Sequence, residues 1–205
     1  MTFRHIPSNI YNFHPPTMEH RLIFILGISG AGKSFLASVI NGFQCLDQDA
    51  FYFSRLGQKD KMPRLNAPEN LGGKPIINYD SMNGIDWKLF NQEIHKLHAN
   101  GPVIVTGFAL RSTHLDPDLK PDLVIHLNIP LETSLERRLV SKGYKSEKQR
   151  EMDKWMMDTV IYPTYLETVS LLDNYLEVYD IDATKSPESV RQIFMDILSQ
   201  KGFIH

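Results

Sequence analysis

The chain has 205 residues, which suits one domain with a substantial core, and its composition is that of an ordinary globular protein. Its formal charge of −2 gives no electrostatic case for a nucleic-acid partner, and no apolar run approaches the ~20 residues needed to cross a bilayer. Because the N-terminus has no signal-peptide pattern and Cys45 is the one cysteine, we expect a cytoplasmic protein in which Cys45 packs in the core.

Residues 1–20 show no periodicity, and we expect them to form an extension that packs loosely on a domain spanning 21–205. Beyond them, short apolar runs alternate with longer amphipathic segments. The predicted strands are 22–26, 44–47, 103–106, 123–127 and 176–179. The predicted helices are 34–41, 85–99, 131–140, 147–172 with a break or bend at Pro163, and 186–200 with Ser186 as N-cap. This alternation predicts an α/β fold with about five parallel strands and helices on both faces.

Residues 27–34 read Gly-Ile-Ser-Gly-Ala-Gly-Lys-Ser and match the phosphate-loop pattern G-x-x-x-x-G-K-[ST] in full, between a predicted strand and a predicted helix. Glycines let backbone N–H groups converge on phosphate oxygens, and the helix N-terminus adds partial positive charge. Lys33 is expected to reach the β and γ phosphates, and the Ser34 hydroxyl to bind Mg²⁺. The motif therefore predicts ATP and Mg²⁺ as cofactors. The predicted nucleotide contacts are Gly27, Ser29, Gly30, Ala31, Gly32, Lys33 and Ser34.

Two common classes of phosphate-loop protein are disfavoured. A GTPase needs an N-K-x-D-type motif, and residues 184–187 (Thr-Lys-Ser-Pro) lack its aspartate. A motor-type ATPase usually has an apolar strand that ends in Asp, whereas the third and fourth predicted strands end at Thr106 and before Asn128. A small-molecule kinase fits both the length and the order of the elements, so we predict a phosphotransferase that uses an alcohol as acceptor.

Several short segments, in the same order over about residues 21–200, resemble the uridine kinase and nicotinamide riboside kinase group of P-loop kinases. They are Gln48-Asp49-Ala50-Phe51-Tyr52, Asn78-Tyr79-Asp80, Gly107-Phe108, Arg137-Arg138, Tyr162-Pro163-Thr164-Tyr165 and Thr184-Lys185-Ser186. The resemblance implies that Asp49 is a base or metal ligand and that Asp80 holds a ribose. It also implies that Arg138 belongs to a closing lid, and that Thr184 and Lys185 lie near the adenine.

Asp49 follows the second strand, on the side where open α/β sheets bind ligands. We predict that it accepts the proton of the attacking hydroxyl and helps Ser34 to hold Mg²⁺, although an Asp here can also cap a turn. Asp47 can help to hold the metal through water or cap the strand end. The predicted catalytic set is Asp49, Lys33 and Arg138.

The predicted acceptor contacts are Asp80, Tyr79, Phe51 and Tyr52. Asp80 can instead form a turn, and the aromatic side chains can instead be core. A basic stretch that begins at Arg137 predicts a lid over about 140–152, with a solvated helical face as the alternative. No third metal ligand is evident near His95 and His98, so we expect a surface pair.

Three features depart from the resembling kinases. Thr106 stands where they usually carry Glu, so either Asp47 compensates, or activity is weaker, or the protein binds nucleotide without efficient turnover. Ala50 also differs, and residues 55–75 have no clear counterpart and are expected to shape the acceptor pocket. The favoured hypothesis is a kinase for a nucleoside-like hydroxyl. The alternatives are a kinase for another small metabolite and a non-catalytic nucleotide-binding module.

Overall fold

The computed structural model describes residues 21–144, 146–175 and 177–204. Residues 1–20, the predicted extension, lie outside the described residues. The strands are β1 (Leu22–Gly27), β2 (Gln44–Asp47), β3 (Arg64–Asn66), β4 (Pro75–Ile77), β5 (Val103–Gly107), β6 (Leu123–Asn128) and β7 (Val178–Asp182). The helices are α1 (Lys33–Ser38), α2 (Trp87–His98), α3 (Leu131–Lys142), α4 (Glu147–Met156), α5 (Tyr162–Val169) and α6 (Pro187–Gln200).

Five strands form one parallel sheet in the order β2-β5-β1-β6-β7. Side chains of β1 alternate between the two faces, so Ile23 and Ile25 pack in one apolar cluster and Phe24 in the other. Helix α6 covers the first face with Phe194, and α2 covers the second with Phe90. The predicted parallel sheet with helices on both faces is therefore confirmed.

The edges of the sheet are where the sequence predictions need correction. Cys45, predicted to be in the core, is exposed, because β2 is an edge strand and only alternate side chains face the interior. The last strand was predicted at 176–179 and lies at Val178–Asp182; Leu176 itself is outside the described residues. The polar residues Asp180 and Asp182 fit this strand because β7 is the opposite edge.

Helical structure continues through the region of Pro163 instead of breaking there. A π-helical turn, Met157–Ile161, joins α4 to α5, and the Tyr162 N–H donates to the Met157 carbonyl five residues earlier. Pro163 lacks a backbone N–H and cannot donate a helical hydrogen bond. The wider π-helical turn just before it accommodates the proline, so the helix continues. Residues 55–75, which had no predicted structure, contribute β3 and the first residue of β4, and these two strands pair antiparallel. Among the described residues, no helix combines the length and apolar character that crossing a membrane requires.

Candidate active site

The phosphate loop joins β1 to α1 and depends on its glycines. Gly30 and Gly32 have φ angles of +80° and +96°, a region that side chains with a Cβ rarely occupy. Gly27 is required for a different reason, since a Cβ there would lie 2.9 Å from the Ala31 Cβ and 3.0 Å from the Leu127 carbonyl oxygen. The loop therefore forms a tight turn that directs its backbone toward the start of α1.

Lys33 and Ser34 form the first turn of α1. The Lys33 Nζ donates hydrogen bonds to the carbonyls of Gly27 (2.8 Å) and Ile28 (3.3 Å), so its ammonium lies over the phosphate loop. Desolvation lowers the pKa of Lys33, while the carboxylates of Asp49 and Asp47 oppose that shift. The Ser34 side chain is exposed to solvent. These side chains stand where the motif predicts contacts with phosphate and metal.

Asp47 ends β2 and Asp49 lies in the turn that follows, near enough to the phosphate loop for both charges to act on Lys33. Asp47 caps a short 3₁₀ turn, because its Oδ1 accepts the Asp49 N–H at 3.1 Å. Desolvation raises the pKa of Asp49, and the Asp47 and Asp80 carboxylates add to this, while Lys33 and Arg55 act in the opposite direction. A raised pKa makes a carboxylate a better proton acceptor near neutral pH.

Gln48 holds this turn in place, a role that sequence reasoning missed. Its side chain is fully buried, and its Oε1 accepts the N–H groups of Phe108 (3.2 Å) and Ala109 (3.3 Å) just after β5. Gly107 allows this approach, since a Cβ there would lie 2.6 Å from the Gln48 Oε1. A polar residue between two aspartates is expected to be exposed, so residue type gave no sign that Gln48 is buried. The available signal was its place in the Gln48–Tyr52 segment, which resembles a segment of known kinases.

We expect Gln48→Leu to lower both stability and turnover. Two buried N–H groups would lose their partner, and each such loss costs about 1–3 kcal/mol. The turn that carries Asp49 would also lose its attachment to β5, so kcat should fall more than the affinity for ATP. Thermal unfolding and steady-state kinetics test this, with Gln58→Leu, an exchange in the loop after the turn, as control. Unchanged stability in Gln48→Leu would contradict the assigned role.

A cleft of about 830 Å³ opens beside the phosphate loop. It brings together several residues that the sequence placed in the site: Ser29, Asp49, Tyr52, Tyr79, Asp80 and Arg138. Apolar side chains from the β4 region and α4 line another part, namely Ile76, Ile77, Met152 and Met156. Three further cations line it as well: Arg55, Lys59 and Lys142. The donor loop, the candidate base and the candidate acceptor residues thus share one cavity.

Arg138 is buried in this cleft and is held by two carboxylates. Its Nε and Nη2 donate to Asp153 at 2.9–3.1 Å, and Nη2 also donates to the Asp80 Oδ2 at 3.3 Å. Burial alone would lower the pKa of Arg138, but the hydrogen bonds and charges of Asp153 and Asp80 raise it above its ordinary value. Arg138 therefore connects α3, α4 and the acceptor side of the cleft. The sequence analysis did not identify Asp153, although it lies three residues before the buried Met156, on the same face of α4.

Arg137 is the arginine that contacts the phosphate loop. Its Nη1 donates to the carbonyls of Gly30 (3.2 Å) and Ala183 (3.0 Å). The Ser134 hydroxyl adds a bond to the Ser29 carbonyl at 2.7 Å. Helix α3 thereby joins the phosphate loop to the loop after β7. That loop presents two exposed residues that remain predicted adenine contacts: Thr184 and Lys185.

The three aromatic residues predicted at the acceptor site have different positions. Phe51 is in the core, packed edge-to-face on Phe90 with ring centroids 5.1 Å apart, and it is not among the cleft-lining residues, so its predicted substrate contact is corrected. Tyr52 lines the cleft and is buried, whereas Tyr79 lines it with 49% of its surface exposed. The 3₁₀ turn Gln48–Phe51 ends between these two residues, so Phe51 packs inward while Tyr52 faces the cleft.

The candidate metal pair His95 and His98 lies on α2, and neither residue lines the cleft. The His95 Nε2 lies 3.0 Å from the Asp116 Oδ2 and 3.7 Å from the Asp118 Oδ1. Third-ligand candidates are therefore present near His95, contrary to the sequence-based expectation, because the loop after β5 returns past α2. All three side chains are substantially exposed and fit a surface ion pair.

No protein-family model matches the sequence, and none of the curated proteins compared with it matches either. Among solved structures, a gluconokinase from Sinorhizobium meliloti has a TM-score of 0.55 at 17% identity, covering 90% of this chain and 94% of its own. A sugar kinase from a Janibacter species has a TM-score of 0.52 at 20% identity, covering 87% and 94%. A deoxyadenosine kinase from M. mycoides has a TM-score of 0.51 at 15% identity, covering 87% and 99%. The chain therefore has the α/β fold of P-loop kinases over nearly its whole length.

Proposed function

We propose that this protein is an ATP-dependent kinase that transfers the γ-phosphate to a hydroxyl of a nucleoside or nucleoside-like substrate. The observation that carries the proposal is that Ser29, Asp49 and Asp80 line one cleft. A phosphate loop alone binds nucleotide, but a kinase also needs a proton acceptor and an acceptor pocket open to the same space. The resemblance of residues 48–52 and 78–80 to the uridine and nicotinamide riboside kinases supports this proposal, as does the shared fold of the three solved kinases.

The donor half has the chemistry that ATP and Mg²⁺ require. Backbone N–H groups of the phosphate loop and the Lys33 ammonium suit the phosphates, and hard oxygen ligands are available from Ser34, Asp49 and Asp47. Room for the phosphates is supported by the open space at Gly32, where an added Cβ would meet no heavy atom within 4 Å. When bound, ATP supplies the phosphoryl group, and Mg²⁺ neutralises part of the negative charge of the phosphates.

On the acceptor side, Asp49 would take the proton of the attacking hydroxyl as that oxygen approaches the phosphoryl group. Asp80 would accept hydrogen bonds from substrate hydroxyls. The backbone N–H of Asp80 donates to the Asn78 Oδ1 at 3.2 Å, which forms a local turn. Because this turn uses the backbone of Asp80, it is compatible with a role of the carboxylate as a clamp. Arg138, which donates to the Asp80 Oδ2 at 3.3 Å, orients that carboxylate.

Thr106 motivates the competing hypothesis of a non-catalytic nucleotide-binding module. It is 3% exposed and stands in register beside Asp47 on the neighbouring strand. Thr106 cannot supply the charge that the resembling kinases place here, so Asp47 is the carboxylate available to compensate. A kinase for another small metabolite would share the entire donor half and differ only in its acceptor contacts.

The deciding experiment is a coupled ADP-release screen over nucleosides, nicotinamide riboside and small sugar acids, with ATP binding measured in parallel. We expect ADP release that depends on an added acceptor and on Mg²⁺. ATP binding without acceptor-dependent turnover across the whole screen would reject the kinase in favour of the non-catalytic module.

The neighbouring positions of Asp47 and Thr106 predict an energetic coupling. In-register residues on adjacent strands project from the same face about 5 Å apart. We expect Asp47→Ala to raise the Mg²⁺ concentration needed for half-maximal activity, and Thr106→Glu to restore part of that loss in the double mutant. Activity against Mg²⁺ concentration for the four proteins of the cycle tests this. Asp47→Asn is the matched control, because its amide oxygen keeps the turn cap but loses the charge. Strictly additive effects would reject compensation by Asp47.

A further inference from the structure

Residues 52–59, the acceptor-side segment, line the cleft with three side chains that the proposed chemistry leaves unassigned: Tyr52, Arg55 and Lys59. The segment follows β2 at one edge of the sheet, whereas the phosphate loop follows the central β1 and the predicted adenine loop follows β7 at the opposite edge. The Phe53 N–H donates to the Gly84 carbonyl at 2.8 Å, which holds the segment near α2. These side chains therefore belong to the acceptor half of the cleft.

Each of the three side chains can donate hydrogen bonds, and none has a hydrogen-bond or ion-pair partner within the described ranges. In the described part of the chain, no carboxylate oxygen lies within 4.0 Å of a charged nitrogen of Arg55 or Lys59. The buried Tyr52 hydroxyl likewise has no hydrogen-bond partner among the described residues. Arg138 in the same cleft differs, because Asp153 and Asp80 neutralise it.

Tyr52, Arg55 and Lys59 all offer hydrogen-bond donors, and two of the three carry positive charge. Guanidinium and ammonium groups can only donate hydrogen bonds. Desolvation, followed by the charges of Asp49 and Asp80, raises the pKa of Tyr52 well above its ordinary value, so its hydroxyl stays protonated and able to donate. A set of donors with positive charge complements a group that only accepts hydrogen bonds and carries negative charge, which describes a carboxylate or a phosphate ester.

We propose that the acceptor carries an anionic group, a carboxylate or a phosphate ester, in addition to the hydroxyl that is phosphorylated, and that Arg55, Lys59 and Tyr52 bind this group. The inference rests on the phosphoryl transfer from ATP to a hydroxyl proposed above, and it defines the acceptor by its charge, whether that acceptor is nucleoside-like or another small metabolite. In the transfer, the hydroxyl oxygen bonds to the γ-phosphorus, the bond to the β-phosphate oxygen breaks, ADP leaves, and the hydroxyl proton passes to Asp49. The anionic group takes no part in these bond changes and only positions the acceptor.

Matched acceptors that differ in one charged group test the proposal. The pairs are D-gluconate with D-glucitol, its open-chain counterpart with CH₂OH in place of the carboxylate, and uridine 3′-monophosphate with uridine for a phosphate ester that leaves the 5′-hydroxyl free. We expect kcat/KM to be at least about tenfold higher for the anionic member of one pair, and which pair responds identifies the anion. Equal or better turnover of the neutral members would overturn this inference and leave the kinase function standing. Acceptor-independent ADP release throughout would overturn both.

Variants separate anion binding from a structural role. Arg55→Ala and Lys59→Ala should each raise KM for the anionic acceptor at least about tenfold, with KM for ATP unchanged. Lys61→Ala is the matched control, because Lys61 is in the same region but packs over the Phe53 ring, 5.3 Å from its centroid. Tyr52→Phe should also raise that KM without lowering the unfolding temperature, since the hydroxyl has no partner to lose in the free protein. An equal loss of kcat/KM for charged and neutral acceptors would overturn the proposal.

Discussion

Asp49→Asn is expected to lower kcat by about 10²–10⁴ while leaving the affinity for ATP nearly unchanged. An amide cannot accept the proton of the attacking hydroxyl, and it is a poorer ligand for a hydrated metal ion. The turn itself should survive, because the Asp49 backbone N–H, and not its side chain, makes the bond to the Asp47 carboxylate. Steady-state kinetics and direct measurement of ATP binding separate the two effects.

The pH dependence provides a second readout of the same residue. Since desolvation and the neighbouring carboxylates raise the pKa of Asp49, its basic form is lost as the pH falls through that raised value. The kcat/KM of the natural protein should therefore decline on the acidic side, beginning above the ordinary carboxyl range, and Asp49→Asn should lack this limb. Asp158→Asn, an exposed exchange on the π-helical turn, is the control. Unchanged turnover in Asp49→Asn would move the base to Asp47 or exclude base catalysis here.

Lys33→Ala should abolish measurable phosphotransfer, a loss of at least about 10²-fold, and leave the fold intact. Among the residues that the structure describes, the Lys33 ammonium bonds to two loop carbonyls and belongs to neither apolar cluster. Hydrogen bonds from a charged group contribute about 1.5–3 kcal/mol each, but Lys33→Ala also removes the cost of desolvating the ammonium, so the net change in the free energy of unfolding should be small. Turnover with the best acceptor and thermal unfolding measure the two quantities.

A matched lysine exchange makes the Lys33 result specific. Lys96 is exposed on α2, pairs with Glu93 and does not line the cleft, so Lys96→Ala should retain full activity. A folded Lys33→Ala protein with normal turnover would contradict the assignment of residues 27–34 as the phosphate cradle. Loss of the fold in Lys33→Ala would contradict the small structural contribution assigned to this side chain.

Sequence reasoning succeeded where the information is local. The phosphate loop could be identified because its residue types are set locally: Gly30 and Gly32 adopt the positive φ angles that glycine permits. The central strands could be identified because burial on both faces requires an unbroken apolar run, as in β1 and β5. The apolar residues of α2 and α6 that are buried recur at helical spacing, Phe90 and Ile94 in α2 and Val190, Phe194 and Ile197 in α6.

The exposure of side chains on an edge strand and the polar contacts between distant segments could not be predicted in this way. The exposure of Cys45 depends on β2 having a neighbour on one side only, which is a property of strand order. The placement of Phe51 in the core and Tyr52 in the cleft depends on the turn that Gln48 attaches to β5, sixty residues away. The periodicity of apolar residues along the chain contains no information about the order of the strands or about the groups that Gln48 binds.

The amino-acid sequence by itself thus determined the class of fold and the phosphate loop, because backbone preference and apolar periodicity act over a few residues. The side chains that would carry phosphoryl transfer stay predictions. Only the tertiary structure decided how those side chains are paired. It placed Arg137 on the phosphate loop and joined Arg138 to Asp153 and Asp80, across 15 and 58 residues of chain. It also left Arg55 and Lys59 without carboxylate partners among the described residues. Charge pairing of this kind depends on distances between segments that strand order and helix packing set, and those distances emerge only when the whole chain has folded.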